Sequence, residues 1–501
     1  MGTRRILVVA LSLMLATSGC RWIVRASVDS AGHQGNDHSL GEVALSADGR
    51  FLAFVSNASN LVPNDTNGAP DVFVRDNRTG EVEKVFETIS SPTITTLVGL
   101  SEDGRYVAAR THAPCGGTGT QSGLFIHDRQ TGTTECIPGL VLGPEAWAIS
   151  ATARFIAHGL TSSIGVLDRE TGQTDTIPAP AGRVITGGLH LSDDGRHAVF
   201  EAEIPAKPCP PFPDCCLPPT NPGCPAVPGA FVHDRQTDTT ESLPLPPPDA
   251  QYATNPAISG DGRWVAYDIV SGTPQDPEGV RGETWLYDRQ TGVVEPVSVR
   301  PDGTVGGSRE PTISDDGRYV AFIGELGLDP TIPPTPPYSG LYVRDMAEDR
   351  TSFLARNVFD VPVQFPQVSD PTLADDGRYI AFTSPNATLV GDDTNGVSDI
   401  FVRAIPTPDI ESVTPASLPR GTSATFTIVG TGFAPAPTAV VSGQGVTVTA
   451  VNRISEYELS VVITVDDLAA TGTRTLAVTN SGTGPGPTAG DTGGCTCLTI
   501  T

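Results

Sequence analysis

Leu45-Ser-Ala-Asp48-Gly49-Arg50-Phe-Leu-Ala-Phe54 is one of six close copies of a single phrase. The others are Leu100-Ser-Glu-Asp103-Gly104-Arg105-Tyr-Val-Ala, Leu191-Ser-Asp-Asp194-Gly195-Arg196-His-Ala-Val-Phe200, Ile258-Ser-Gly-Asp261-Gly262-Arg263-Trp-Val-Ala-Tyr267, Ile313-Ser-Asp-Asp316-Gly317-Arg318-Tyr-Val-Ala-Phe322 and Leu373-Ala-Asp-Asp376-Gly377-Arg378-Tyr-Ile-Ala-Phe382. A seventh, Ile149-Ser-Ala-Thr-Ala-Arg154-Phe-Ile-Ala, has Thr-Ala in place of Asp-Gly. Neighbouring copies lie 42 to 67 residues apart, so one unit repeats with loops of unequal length.

Each copy is followed by a second phrase, such as Asp71-Val-Phe-Val-Arg-Asp76-Asn-Arg-Thr-Gly80, Leu124-Phe-Ile-His-Asp128-Arg-Gln-Thr-Gly132 or Trp285-Leu-Tyr-Asp288-Arg-Gln-Thr-Gly292. Short apolar runs rich in β-branched and aromatic residues, bounded by Asp-Gly or Thr-Gly, are strands that end in tight hairpins. Glycine supplies the positive φ of the turn, and the aspartate bonds the backbone ahead of it. Four strands per unit follow. Such a sheet has two apolar faces and needs a neighbour on each, which predicts a β-propeller. The seventh unit stops after its third strand at Ile405, whereas Arg21-Trp-Ile-Val-Arg-Ala-Ser-Val28 precedes the first unit without a partner. If that N-terminal strand completes the last sheet, the ring closes and no edge is exposed. The expectation is an all-β chain: a seven-bladed propeller over 21–405, closed by residues 22–28.

These phrases resemble the TolB-like propeller repeat of bacterial envelope proteins, in which an inner strand, Ser-x-Asp-Gly-Arg and an aromatic-containing strand recur. The resemblance covers about three quarters of the chain. It implies the fold and leaves the function open, since that fold hosts scaffolds, lyases and peptidase covers alike.

Composition agrees. Of 501 residues 54 are Gly and 45 Pro, and aromatics are only 6%, which suits strands and turns and disfavours helical bundles. The net charge of −26 repels phosphate backbones and anionic lipid, so nucleic acid and peripheral membrane binding are not expected.

The ends carry different signals. Arg4-Arg5, an apolar run from Ile6 to Ala16, and Thr17-Ser18-Gly19-Cys20 have the parts of a secretory signal over 1–20, and the run is too short to span a bilayer. The small-small-Cys ending resembles the lipobox of bacterial lipoproteins, which implies lipid on Cys20 and attachment to the membrane through that anchor alone. Arg21 follows, not the aspartate that commonly retains lipoproteins in the inner membrane. Outer-membrane or cell-surface placement, periplasm-facing included, is therefore open. Pro406-Thr-Pro-Asp409 reads as a stiff linker. Alternating strands over 410–501 then predict a β-sandwich. Its Ser-Val-Thr-Pro, Gly-Thr-Gly-Phe and Leu-Ala-Val-Thr-Asn elements resemble the IPT/TIG immunoglobulin-like module, with a flexible loop over 481–494 and a last strand over 498–501.

Eight cysteines remain beyond Cys20, an even number in an exported chain, so disulfides are expected. Cys209, Cys215, Cys216 and Cys224 lie in one Pro-rich insertion whose spacing does not match a zinc knuckle. Cys115 and Cys136 are candidates to pair, and Cys495 and Cys497 are unassigned. Two loops, Asp65-Thr-Asn67-Gly-Ala-Pro-Asp71 and Asp392-Asp-Thr-Asn395-Gly-Val-Ser-Asp399, offer hard oxygens around a glycine, as calcium loops do. The same residues also suit plain Asx turns.

No Gly-x-Ser-x-Gly, His-Glu-x-x-His or phosphate loop occurs. His127 and His233 share a repeat column with Arg75, Arg344 and Arg403, which reads as a solvent-facing position. A glycosidase pair could be drawn from Glu201, Asp268, Glu283 and Glu325, though the sequence selects none. The expected function is non-enzymatic binding or scaffolding of an envelope protein or glycan. It would act through the face that carries the long loops 56–70, 111–123, 201–229, 268–283, 323–339 and 383–398. The alternatives are a carbohydrate lyase or hydrolase and a soluble glycan- or peptide-binding propeller. Paired carboxylates with His or Arg at the channel mouth would favour catalysis, and an uncharged mouth would favour binding.

Overall fold

The computed structural model describes residues 23–86, 96–114, 120–137, 146–205, 227–271, 281–325, 327–329, 339–347, 349–355, 367–405, 409–431, 433, 437–454, 458–480 and 492–501. Cys20, Cys115, Cys209, Cys215, Cys216 and Cys224 lie outside them. All regular structure described is β. No helix among the described residues is long and apolar enough to cross a membrane.

Before residue 405 the strands form four-stranded antiparallel sheets, each containing one copy of both phrases. In the first sheet Ser39–Leu45, Phe51–Ser56, Asp71–Asp76 and Val82–Phe86 pair in chain order. The innermost strand of each sheet lies beside that of the next, and Ser369–Leu373 of the last returns to Ser39–Leu45 of the first.

The last sheet takes its outer strand from the other end of the chain: Ile23–Arg25 pairs with Asp399–Ala404. The register repeats that of the first sheet. Arg25 faces Phe401 as Lys84 faces Phe73, so the N-terminal strand fills the repeat's own fourth position. Beyond it Ala26 N–H donates to the Ile400 carbonyl at 2.7 Å, and Ser27 Oγ donates to Asp399 Oδ1 at 2.5 Å.

The two phrases recur because they join neighbouring sheets. Gly104, Gly195, Gly262, Gly317 and Gly377 have φ of 68 to 71°, and a Cβ on any of them would overlap the ring that follows the preceding arginine: Phe51, Phe155, His197, Trp264 or Tyr319. Gly49 stands in the same relation to Tyr379, which carries the seam across the closure. An arginine of the second phrase then covers the ring. Arg169 lies 5.2 Å from the Tyr106 centroid and donates to the Ala153 carbonyl at 2.9 Å, and Arg235 lies 4.8 Å from Phe155 and donates to the Gly195 carbonyl at 2.6 Å. Within every sheet but the last, where Ala404 takes the aspartate's place, the arginine of the first phrase holds the aspartate of the second, as Arg105 holds Asp128 at 2.6 Å. That pairing keeps the carboxyls of Asp128, Asp168, Asp234 and Asp288 well below the usual range. In the degenerate copy Ala153 keeps the left-handed turn at φ 55°, which an L side chain adopts at a cost of about 1 kcal/mol. Two opposite results follow for thermal melts. Gly317→Ala, which meets the Trp264 ring as well as a strained φ, should destabilise by about 2–4 kcal/mol. Ala153→Gly should be neutral or stabilise by about 0.5–1 kcal/mol.

The column of His127 and His233 departs from the sequence reading. His233, Arg344 and Arg403 are 2%, 6% and 1% exposed, because both faces of these strands are covered by neighbouring sheets. Threonines of the outer strand meet their polar atoms: His127 Nδ1 lies 2.9 Å from Thr134 Oγ1 at the surface, His233 Nδ1 lies 2.8 Å from Thr240 Oγ1, and Arg344 donates to the buried Thr351 Oγ1 at 2.9 Å. The position is interior at His233, Arg344 and Arg403, against the solvent-facing expectation, and half-buried at Arg75 and His127.

After residue 409 two further four-stranded sheets pack face to face. Phe426, Ile428, Leu459, Val461 and Ile463 of one meet Leu476, Val478, Leu498 and Ile500 of the other. The strict alternation of buried and half-buried residues along Glu458–Val465 is the pattern of a sheet with one apolar face. The final strand is Thr492–Ile500, six residues longer at its start than the sequence suggests, because Thr492 to Cys495 pair with Leu476 to Thr479. Cys495 and Cys497 are joined to each other, and Cys136 is disulfide-bonded.

Candidate functional site

The innermost strands enclose a cavity of about 420 Å³. Its lining includes Glu102, Asp193, Asp315 and Asp375 where the strands enter their tight turns, and Gly188, Asn255, Glu310 and Asp370 nearer the long-loop end, with His190 also facing the void. No lysine or arginine lines it among the described residues.

The turn end is built by one column of the repeat, the residue between Ser (or Ala374) and Asp. Around the ring that column reads Ala47, Glu102, Ala151, Asp193, Gly260, Asp315, Asp375. Small and acidic residues alternate until the odd number of units sets Asp315 beside Asp375. The small ones make room: a Cβ at Gly260 would overlap the Asp193 carboxylate. Backbone bonds tie the turns together, Glu102 N–H to the Ala151 carbonyl, Asp193 N–H to that of Gly260, and Asp315 N–H to that of Asp375, each at 2.9 Å. Carboxylate oxygens of Glu102, Asp193 and Asp315 consequently lie within 4.8 Å of one another.

Such crowding resists ionisation. Burial first, and then the neighbouring carboxylates, push Asp193 up to about 7, Asp315 to about 6 and Asp375 to about 8, and raise Glu102 as well. His190 is exposed in the channel, and the protein packed around its ring lowers its pKa and favours the neutral form.

The long-loop end is shaped by bulges. The inner strands lose register between Gly187 and His190, Thr254 and Ala257, Arg309 and Thr312, and Ser369 and Thr372. At each bulge one residue is left-handed: Gly188, Asn255, Glu310 and Asp370, with φ of 57, 50, 56 and 52°. In three of them a proline follows, Pro256, Pro311 or Pro371, which suits a position with no ladder bond to donate. This strain holds polar side chains along the channel and costs about 1–2 kcal/mol at each non-glycine position.

Two of the four carboxylates considered for a glycosidase pair secure these bulges. Glu201 accepts from Thr254 Oγ1 and the Asn255 N–H, both at 2.5 Å. Asp268, 1% exposed, accepts from Asn255 Nδ2 at 2.9 Å, Thr284 Oγ1 at 2.8 Å and the Glu310 N–H at 2.9 Å, and burial pushes it up to about 7 despite these donors. Glu325 pairs with Arg300, and Glu283 accepts from Trp285 Nε1 at 3.4 Å. None of the four lines the cavity.

The two acidic loops each hold a cation of their own chain. Lys84 Nζ lies 3.3 Å from Asp71 Oδ2 and 3.5 Å from Asp65 Oδ1, and Asn67 donates to both oxygens of Asp71 while its Oδ1 accepts the Ala69 N–H. In the other loop Arg25 Nη1 lies 3.3 Å from Asp393 and 4.0 Å from Asp399, Arg25 Nη2 donates to the Asp392 carbonyl at 3.3 Å, and Asn395 repeats the Asx turn onto Val397. Calcium at either loop would have to displace a largely buried ammonium or guanidinium. Lys84→Ala should therefore destabilise by about 2–3 kcal/mol, as two buried carboxylates lose their partner. A melt unchanged within error would show that the pairing carries no weight.

The sequence contained the acidic column, but its carboxylates read there as turn residues. Two signals would have found the channel: the small-acidic alternation in one repeat column, and the polar-Pro pairs three residues before Ile258, Ile313 and Leu373.

Radial four-stranded sheets around a central channel define a β-propeller. No family model matches the chain, and no curated protein does. Among solved structures it is similar to an oligogalacturonate lyase from Vibrio parahaemolyticus, at 15% identity over 77% of this chain and 93% of that one, with a TM-score of 0.47. It is also similar to the β-propeller domain of the Trilobed protease from Pyrococcus furiosus (11% identity, 73% and 95% covered, TM-score 0.44) and to TolB from Acinetobacter baumannii (13%, 75% and 81%, 0.34). At such scores these likenesses bear on no functional question.

Proposed function

We propose that this chain is an exported envelope protein, lipid-anchored at Cys20, with a seven-bladed propeller closed by its N-terminal strand and an IPT/TIG-like sandwich, and that it works by binding. Its ligand is cationic and enters the central channel, while the long-loop face is left to contact a protein or glycan of the envelope. The observation that carries this reading is that five carboxylates, Glu102, Asp193, Asp315, Asp370 and Asp375, line one cavity in which no lysine or arginine takes part among the described residues, while Glu310 beside them is paired with Arg309. Elsewhere the chain supplies cations to such groups, as Lys84 and Arg25 do in the loops. A crowded, half-buried carboxylate cluster without counter-charge is costly to the fold and is relieved by a bound cation. Calorimetric titration with spermidine, a lysine-rich peptide and divalent ions tests it. At least one cation should bind the wild type and fail with Asp193→Asn/Asp315→Asn, and binding confined to neutral or anionic oligosaccharides would overturn the reading.

A second reading is favoured by His190. A neutral imidazole in the same channel as carboxyls that hold protons near pH 7 is an acid–base set of the kind a carbohydrate lyase or hydrolase needs. Product release from a polysaccharide panel, abolished in His190→Ala, would replace binding with turnover.

A further inference from the structure

Away from the channel, we propose that Lys84 and Asp71 become joined by a self-formed isopeptide bond, with Asp65 as the proton carrier. Of the 31 basic side chains in the sequence only two, Lys84 and Lys207, are lysines. Lys84 stands on Val82–Phe86 at the place that Arg25 holds on Ile23–Arg25 in the last sheet, each opposite a phenylalanine of the neighbouring strand. As a counter-charge an arginine serves there, as Arg25 does for Asp393 and Asp399. A guanidinium stays protonated, whereas a primary amine that gives up its proton is a nucleophile.

The three groups are close together and shielded from water. Lys84 Nζ lies 3.3 Å from Asp71 Oδ2 and 3.5 Å from Asp65 Oδ1, and the side chains of Asp71, Asp65 and Lys84 are 0%, 3% and 16% exposed. Asn67 donates to both oxygens of Asp71, at 2.9 and 3.0 Å, which fixes the carboxylate plane and draws electron density from its carbon. Burial, and then the Asp71 charge beside it, raise Asp65 above the usual carboxylate range and favour its acid form. Amine and carboxyl held at this separation have the high effective concentration that a condensation needs. The step balances without a co-reactant. A proton passes from the Lys84 ammonium to Asp71, the freed Nζ attacks Asp71 Cγ, and Asp65 gives its proton to the departing oxygen. The carbon–oxygen bond breaks, water leaves, and Asp65 recovers a proton from the new amide nitrogen.

Peptide mass mapping of the full chain, folded, then reduced and digested, tests it. Cleavage after arginine places Asp71 in a peptide of residues 51–75 and Lys84 in one of residues 79–105. The wild type should give one joined peptide, lighter than the two together by one water. Lys84→Arg, which keeps the counter-charge, should give none, and neither should Asp71→Ala. Asp65→Asn should leave most of the chain unjoined. Because Lys84→Arg preserves the ion pairing, its melting temperature should fall below that of the wild type by several degrees, which is the contribution of the covalent link. Separate 51–75 and 79–105 peptides at full yield from the folded wild type would overturn the inference. A joined peptide formed as fully in Asp65→Asn would overturn the part given to Asp65.

Discussion

Removing residues 23–28 will lower the melting temperature of the propeller by about 10 °C or more. Ile23 and Ala26 are completely buried and Val28 is nearly so, so their loss withdraws roughly 4–5 kcal/mol of apolar burial. The larger injury is polar. Arg25 answers the buried Asp393 and Asp399, and Ser27 bonds Asp399 on one side and the Ile400 N–H on the other at 3.1 Å. Without them, carboxylates that burial already raises lose their partners, at a cost of about 2–3 kcal/mol more. The exposed strand Asp399–Ala404 would also offer an open edge to other chains. Calorimetry separates this transition from that of the sandwich. Arg25→Ala alone should give a smaller drop of the same sign, and a deletion that melts within about 2 °C of the parent would mean that the ring does not depend on its closure.

Asp375→Asn should make the metal-free protein more stable at pH 8 and leave it almost unchanged at pH 4. In the unfolded chain this carboxyl ionises near pH 4, whereas in the channel it holds its proton up to about 8. Between those values the folded state binds the extra proton, so its contribution to stability is complete below about pH 4 and is lost as pH rises to about 8. Asp193 and Asp315 act in the same direction up to about 7 and 6. The arginine-paired Asp128, Asp168, Asp234 and Asp288 act oppositely: their contribution is present above the usual carboxylate range and is lost as pH falls below it. The wild type should therefore be most stable at mildly acid pH. Asp375→Asn removes one crowded charge and should gain about 1–3 kcal/mol at pH 8. Melts in chelator from pH 4 to 9 check it, and a parallel curve for the variant would show that Asp375 is not strained by its neighbours.

How much of this was legible depends on the range over which each interaction is specified. The Asp-Gly-Arg and Asp-Arg-Gln-Thr-Gly turns are local, so six or seven copies of them disclosed the strands, the hairpins and the missing fourth strand that Ile23–Arg25 supplies. Burial of the His233 and Arg403 column was not legible, because a polar residue in a strand looks outward until the neighbouring sheet is in place. The partners of the acidic loops were hidden for the same reason. Lys84 follows Asp65 by one strand and Arg25 precedes Asp399 by nearly the whole propeller, and only the shared register with Phe73 and Phe401 makes them equivalent.

The channel is the extreme case. Glu102, Asp193 and Asp315 are spread over more than two hundred residues and read as ordinary turn acids, and their chemistry arises because the inner strands converge on one axis. Sequence alone determined the repeated sheet and the closure of the ring, since both follow from period, turn chemistry and an unpaired strand at each end. Only the tertiary structure decided where the charge gathers, because the distance between side chains on opposite walls is set by how the sheets pack around the axis and by the small residues, Ala47, Ala151 and Gly260, that let the acids approach.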